Sequence, residues 1–216
     1  MQLIRPGFLF TFAAILILFF ACSKTTTPAN EELQGQSSAN VNVQYPLAEI
    51  EILQAFANRS GGFNGKYHTA EDYAGTPGTP VYAMADGTIS FSGPMGGYGW
   101  LITVFHADLG VYTLYGHLST ERDKVLSGSV KKGDIIAYLA DDDEDGSGPI
   151  GGGGNGYPYW GPHLHFGVRT GNITNYSSAD EDRWMAGYTI QDPTLHNWLH
   201  PTEYIQTQNE ENDGSN

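Results

Sequence analysis

Apolar and polar positions divide the 216-residue chain into blocks of different periodicity. The first is an unbroken apolar run from Phe8 to Ala21, preceded by one basic residue, Arg5. It is too short to favour a spanning helix and has the layout of a secretory signal, so residues 1–21 are set aside from the fold. The stretch "SKTTTPANEELQGQSSAN" that follows Cys22 is polar throughout. It cannot bury enough surface to offset the entropy of ordering, which predicts a flexible tether over 22–42 with a reach of roughly 25 Å. Next, "PLAEIEILQAFANRSGG" carries apolar residues at helical spacing. Pro46 suits a first turn and Gly61 and Gly62 follow the end, so a short amphipathic helix is predicted over Leu47–Arg59.

Beyond it the pattern changes from helical to β-rich. "TPVYAMADGTISFSG", "GWLITVFHADLGVYTLYGHLS", "VKKGDIIAYLA" and "HLHFGVRT" are rich in β-branched and aromatic residues and are punctuated by Asp-Gly, Leu-Gly and Lys-Gly turns. The spacing leaves no room for helical crossovers, so the strands must be antiparallel. The predicted fold class is mainly β, an antiparallel sheet domain over 43–206 with few helical segments. The polar end, "TQNEENDGSN", is predicted to be a solvated, disordered tail over 207–216. One stretch interrupts the β pattern. Asp141 to Gly161, "DDDEDGSGPIGGGGNGYPYWG", reads as a long loop and a candidate flap, because it feeds directly into "HLHFG".

Composition narrows the function. With 24 acidic against 10 basic side chains the net charge is -14, which repels phosphate backbones and argues against nucleic acid. The single cysteine, Cys22, excludes an intrachain disulfide. It stands after the apolar run with Ala21 before it and Ser23 after it, in the pattern of a bacterial lipobox. Cys22 is therefore the expected lipidation site and new N-terminus, tethering the domain to a membrane.

Seven histidines remain: His68, His106, His117, His163, His165, His196 and His200. On a strand, His163 and His165 project from one face, with Leu164 on the other. His68 and Asp72 lie four apart, and imidazole and carboxylate are zinc-type ligands. His117 follows a β run in "YTLYGHLS". Each piece alone also fits an ordinary exposed or hydrogen-bonded histidine.

In this order, the three pieces resemble the lysostaphin/LytM-type zinc metallopeptidases of bacterial cell walls. His68/Asp72 matches the family's His-x-x-x-Asp motif, Tyr115-Gly116-His117-Leu118 its Tyr-x-His-Leu motif, and His163-Leu164-His165 its His-x-His strand. The resemblance extends over about Tyr67 to Arg169, with a closing "HPTEYI". It implies one zinc held by His68, Asp72 and His165, with an open position for the water that acts as nucleophile. His117 and His163 would be the catalytic histidines, one moving the proton and the other supporting the oxyanion, in either order. Three positions depart from the family pattern. Ala70 stands where glycine is usual, Gly167 where an acid is usual, and the long acidic insertion where a short turn is usual.

Other chemistry-bearing residues have plainer readings. His196 and His200 in "HNWLH" imitate a helical zinc-protease spacing but lack its glutamate, so surface or packing roles are expected. His106 is expected to be a satisfied structural histidine. Glu71 alternates away from Asp72 and is expected to face solvent. Asp141, Asp143 and Asp145 echo the first half of a calcium loop, but Gly152 stands where the bidentate glutamate belongs, which favours a solvated rim over Ca2+.

The resulting expectation is a lipid-anchored, monomeric zinc endopeptidase of the bacterial cell envelope, at the outer membrane, acting on peptidoglycan stems or cross-links. The alternatives are a catalytically inactive LytM-like factor that activates other wall hydrolases, and a wall-binding scaffold with a structural metal. Among upstream segments, Leu47–Arg59 is the nearest that could inhibit the site.

Overall fold

The computed structural model describes residues 41–59, 65–141, 144, 161–171 and 185–214. Cys22, the apolar run, Asp143, Asp145 and the glycine run before His163 lie outside the described residues. In chain order the strands are β1 (Ile52–Gln54), β2 (Tyr67–His68), β3 (Glu71–Ala74), β4 (Pro80–Tyr82), β5 (Gly87–Met95) and β6 (Gly99–His106). There follow β7 (Val111–Leu118), β8 (Ser129–Val130), β9 (Ile135–Tyr138), β10 (His163–Arg169), β11 (Tyr188–Thr189) and β12 (Trp198–Leu199), and then the helix α1 (Pro201–Asp213). The main sheet has the order β1-β3-β10-β7-β6-β5-β8, with β12 added to β10. Two short pairs, β2 with β11 and β4 with β9, complete an antiparallel architecture.

The four β runs read from the sequence become β4 to β7, β9 and β10, and their turn signals lie where the chain reverses. Gly87 shows why the Asp-Gly pair is needed. A Cβ there would stand 2.6 Å from the Val104 side chain and 2.7 Å from the Phe105 carbonyl, so only glycine lets β5 approach β6. One face of the sheet is the main core. Tyr73, Ile102, Val104, Tyr115 and Phe166 pack there with Val81 and Ile136 of the β4–β9 pair, with Leu139 just after β9 and with Ile205 of α1. A smaller cluster, Tyr98, Leu101, Leu114, Met185 and Trp198, forms separately from it. Every residue of β10 is consequently buried.

Two elements differ from expectation. Leu47–Arg59 is not a helix; it bends over residues 46–49 and then forms β1. Its backbone is drawn to open edges: the Pro46 carbonyl accepts from Tyr82 N and the Glu51 carbonyl from Ala74 N, both at 2.9 Å. Those pairings satisfy polar groups that a free-standing helix would leave exposed on β3 and β4, and they override a weak helical period. At the other end, α1 runs through Asp213 where a disordered tail from 207 was expected. Its first turn buries Pro201 and Ile205, and Asn212 Nδ2 donates to the Val41 carbonyl at 2.9 Å. Docking at both ends supplies what the polar sequence alone lacks.

His106 is structural, as expected. Its ring contacts the Asp86 carbonyl at 2.9 Å and Thr113 Oγ1 at 2.7 Å. Burial pushes the imidazole below its ordinary value of 6.5, outweighing the Asp86 carbonyl. A histidine held neutral stabilises the fold fully above that value and loses the contribution as pH falls through it. Denaturant midpoints are therefore expected to drop between about pH 7 and pH 5. His106→Gln should make that slope shallower; an unchanged slope would assign it to other groups.

Candidate metal centre

Register builds the site. β3 and β10 pair so that Asp72 stands directly opposite His165 and His163 opposite Ala74. On the far side of β10, His165 faces Gly116 of β7. A Cβ at Gly116 would stand 2.5 Å from the Tyr98 ring and 3.3 Å from the His165 Cβ, so the glycine before His117 makes room for both. His68 enters from β2, whose partner β11 carries Tyr188 opposite it.

His68, Asp72 and His165 offer ligand atoms that all lie within 4.8 Å of one another, and all three residues are buried. The three closest atoms form a triangle. His68 Nε2 is 3.1 Å from His165 Nδ1 and 3.3 Å from Asp72 Oδ1, and His165 Nδ1 is 3.0 Å from the same oxygen. Tetrahedral ligands at zinc-like bond lengths of about 2.0–2.1 Å stand about 3.3 Å apart, so the donor set fits such an ion. Two imidazole nitrogens and a carboxylate oxygen also match its chemistry.

Surroundings fix the ligand orientations. His68 Nδ1 contacts the Ala55 carbonyl at 3.3 Å, which leaves Nε2 for the centre. Ala57 N and the His68 carbonyl bond at 2.9 Å, and His68 N bonds the Asn58 carbonyl at 3.0 Å. The segment expected to be a helix, and a possible inhibitor, is thus an edge that holds a candidate metal-binding histidine. Tyr188 packs its ring 5.0 Å from His68 and donates its hydroxyl to Gln54 Oε1 at 3.0 Å. Burial would raise the Asp72 carboxyl, yet the His68, His165 and His163 imidazoles hold it well below its ordinary range. Burial pushes His165 down to about 4 despite Asp72 beside it. Both shifts favour an ionised carboxylate and a neutral imidazole at neutral pH, the charge states in which these groups bind metals.

His163 stands beside the triangle and outside it. Its Nδ1 lies 2.9 Å from the Gly161 carbonyl, so a proton on Nδ1 is donated there and Nε2 faces Asp72 Oδ2 at 3.8 Å. His117 has a left-handed backbone, with φ of 60°. Regular alternation would send its side chain to the opposite face from Gly116, into the core with Tyr115. The left-handed residue re-aims it, and Leu118 pairs with both Gly99 and Trp100 in the resulting bulge. The His117 ring then lies 4.6 Å from His163 and 6.0 Å from His165, and its Nδ1 has no hydrogen-bond partner among the described residues.

The family model described as "Peptidase family M23" matches residues 66–177, more than half of the chain. The chain belongs to peptidase family M23. Curated relatives include the "DD-carboxypeptidase/endopeptidase Mpg" of Neisseria meningitidis serogroup B and of Neisseria gonorrhoeae. Each is 36% identical over 136 residues, which are 62% of this chain and 27% of the relative. The chain therefore matches about a quarter of those proteins' length. Among solved structures, the antimicrobial peptidase lysostaphin from Staphylococcus simulans shares the fold with a TM-score of 0.51 at 20% identity, over 79% of this chain and 55% of that one. CbpA from L. salivarius REN has a TM-score of 0.51 at 18% identity, over 77% and 96%.

Two departures from the M23 pattern meet in space. A Cβ at Gly167 would lie 2.9 Å from the Trp198 ring and 3.7 Å from the Ala70 Cβ. Trp198 occupies the room that a side chain at 167 would need, so Ala70, Gly167 and Trp198 are one packing solution. Glu71 does alternate away from Asp72, but it is fully buried rather than solvated, because α1 covers that face. His196 and His200 do not share a helix face: Asn197 between them is left-handed, and β12 follows. Asp141 is paired with Arg122, Nη2 to Oδ2 at 3.1 Å. Glu144, not singled out from the sequence, accepts from Ser119 Oγ at 2.6 Å and Thr120 N at 2.9 Å and pairs with Arg122. Sequence reasoning also passed over Tyr98, whose ring packs 5.2 Å from His165 and whose hydroxyl donates to the Met185 carbonyl at 3.0 Å. The "GGYGW" glycines around it were the available signal.

Proposed function

We propose that this M23 peptidase is a zinc-dependent endopeptidase of the bacterial envelope that hydrolyses peptide bonds in peptidoglycan. The observation that carries the reading is the buried triangle of His68 Nε2, Asp72 Oδ1 and His165 Nδ1 with two further imidazoles beside it. When bound, zinc supplies Lewis acidity and acidifies water toward neutral pH. His163, with Nδ1 engaged by Gly161, presents Nε2 as the proton acceptor and later returns the proton to the leaving amine. His117 is kept neutral, because burial and then His163 and His165 hold its imidazole well below its ordinary value. A neutral ring has one N–H to donate, and His117 directs it to the oxyanion of the tetrahedral intermediate.

The DD-carboxypeptidase/endopeptidase activity named for the Neisseria relatives favours a bond involving D-alanine, as in a direct cross-link to a diamino acid, over a glycine bridge. Cys22 carries the lipid, and the 22–42 tether lets the domain reach its substrate from an outer-membrane anchor. Purified peptidoglycan should release cross-link-cleaved muropeptides, seen by mass spectrometry, and chelator should abolish their release. Zinc binding without cleavage of any wall preparation would instead favour a factor that activates other hydrolases.

The strained backbone at His117 yields a separate expectation. His117→Gly removes the left-handed penalty, so the variant should be as stable as the parent or up to about 1 kcal/mol more stable while losing turnover. Urea midpoints and muropeptide release check the two halves; marked destabilisation would show that ring packing outweighs strain.

A further inference from the structure

Strands β3 and β12 share one edge of β10. β3 pairs with residues 163–166, β12 with Val168 and Arg169, and β7 lies along the opposite edge. The edge is thus covered by two separate pieces of chain that meet at Gly167. On the metal face the junction is filled by Trp198 and Ala70. On the other face stands Glu71, the first residue of β3 and the chain neighbour of Asp72.

Glu71 is fully buried, and an isolated carboxylate there would be costly. Its Oε2 accepts three hydrogen bonds: from Tyr73 Oη at 2.6 Å, Thr202 Oγ1 at 2.7 Å and Thr202 N at 3.2 Å. The last is a backbone donor in the first turn of α1. The helix's own N-cap, His200, makes no side-chain cap bond. A carboxylate 131 residues upstream therefore does the capping, and its charge faces the positive end of the helix dipole. Oε1 lies 3.3 Å from His200 Nδ1. Glu71 thereby fastens the β12–α1 unit to the strand that carries a metal-site carboxylate, one residue from that carboxylate and opposite Phe166, the neighbour of His165.

We propose that Glu71 is a positioning residue for the metal centre: by capping α1 it locks the β3–β10 register that sets Asp72 against His165. This rests on the reading of His68, Asp72 and His165 as the zinc site. Nothing in the capping itself needs a metal, so a merely structural Glu71 would lower the melting temperature and leave the affinity of the folded protein for zinc unchanged. A positioning role predicts loss of affinity as well, about tenfold or more, the scale on which residues supporting metal ligands act.

The test is zinc affinity of the folded protein, by competition with a chromophoric chelator, for the parent chain, Glu71→Ala, Glu71→Gln and Thr202→Val. Glu71→Ala should weaken zinc binding about tenfold or more. Thr202→Val, which removes one clamp bond from the helix side and is conservative enough to fold, should weaken it in the same direction by less. Glu71→Gln keeps an acceptor for Thr202 and should restore most of the affinity. If the parent binds zinc and the folded variants bind it equally well, the inference is overturned and the metal reading stands. A parent chain that binds no zinc overturns both.

Discussion

His165→Ala should lose zinc and peptide hydrolysis together, whereas His163→Ala should keep the metal and lose turnover alone. The two residues are one leucine apart and face the same way, yet their ring nitrogens have different partners. His165 Nδ1 completes a triangle with His68 and Asp72 whose edges are 3.0 to 3.3 Å. Removing it leaves two donors, too few for a stable catalytic zinc. His163 Nδ1 is spent on the Gly161 carbonyl and its Nε2 is 3.8 Å from the second carboxylate oxygen of Asp72, beside the centre. Truncating it should cost about 10²- to 10⁴-fold in turnover, the usual weight of a general acid–base group. Metal content by emission spectrometry, run beside muropeptide release, separates the outcomes. Equal loss of metal from both variants would end this division of labour.

The largest stability effect should come from Trp198→Ala, at about 3–5 kcal/mol. Trp198 is 1% exposed, packs with Tyr98, Leu101, Leu114 and Met185, and fills the space left open by Gly167. Its ring also carries the Arg169 guanidinium, 5.1 Å from the centroid. A chain of this size should melt about 6–20 °C lower. Because the indole spans the junction between β3 and β12 and joins the cluster containing Tyr98, zinc affinity should weaken as well. Differential scanning calorimetry of the metal-free protein reads the first effect. A shift below about 2 °C would mean that the site collapses around the missing ring.

The sequence made the β strands and the five candidate site residues legible for different reasons. Strands β4 to β7, β9 and β10 are rich in β-branched and aromatic residues, and Asp-Gly, Leu-Gly and Lys-Gly turns punctuate the runs that hold them, so local pattern and tertiary role agree. The candidate site residues stand out because three motifs occur in one order, His68/Asp72, then His117, then His163 and His165, and together resemble a known family where each alone would not. What the sequence concealed depends on who covers whom. Glu71 has the alternation of a solvated acid, and only the return of α1, 130 residues later in the chain, makes its face an interior. The helical period of Leu47–Arg59 yields because β3 and β4 have open edges that its backbone can pair with. His117 violates alternation through one left-handed residue, which no periodicity shows. α1 itself is polar and weakly patterned, and is held by contacts at its two ends.

The triangle of His68, Asp72 and His165 should hold zinc through two imidazoles and one carboxylate and leave one position open. X-ray absorption at the zinc edge of the stoichiometrically loaded protein tests it most directly. Two imidazole nitrogens per zinc are expected at about 2.0–2.1 Å, with oxygen completing the shell. Three or four imidazoles on the metal would draw His163 or His117 into the first coordination sphere and contradict it.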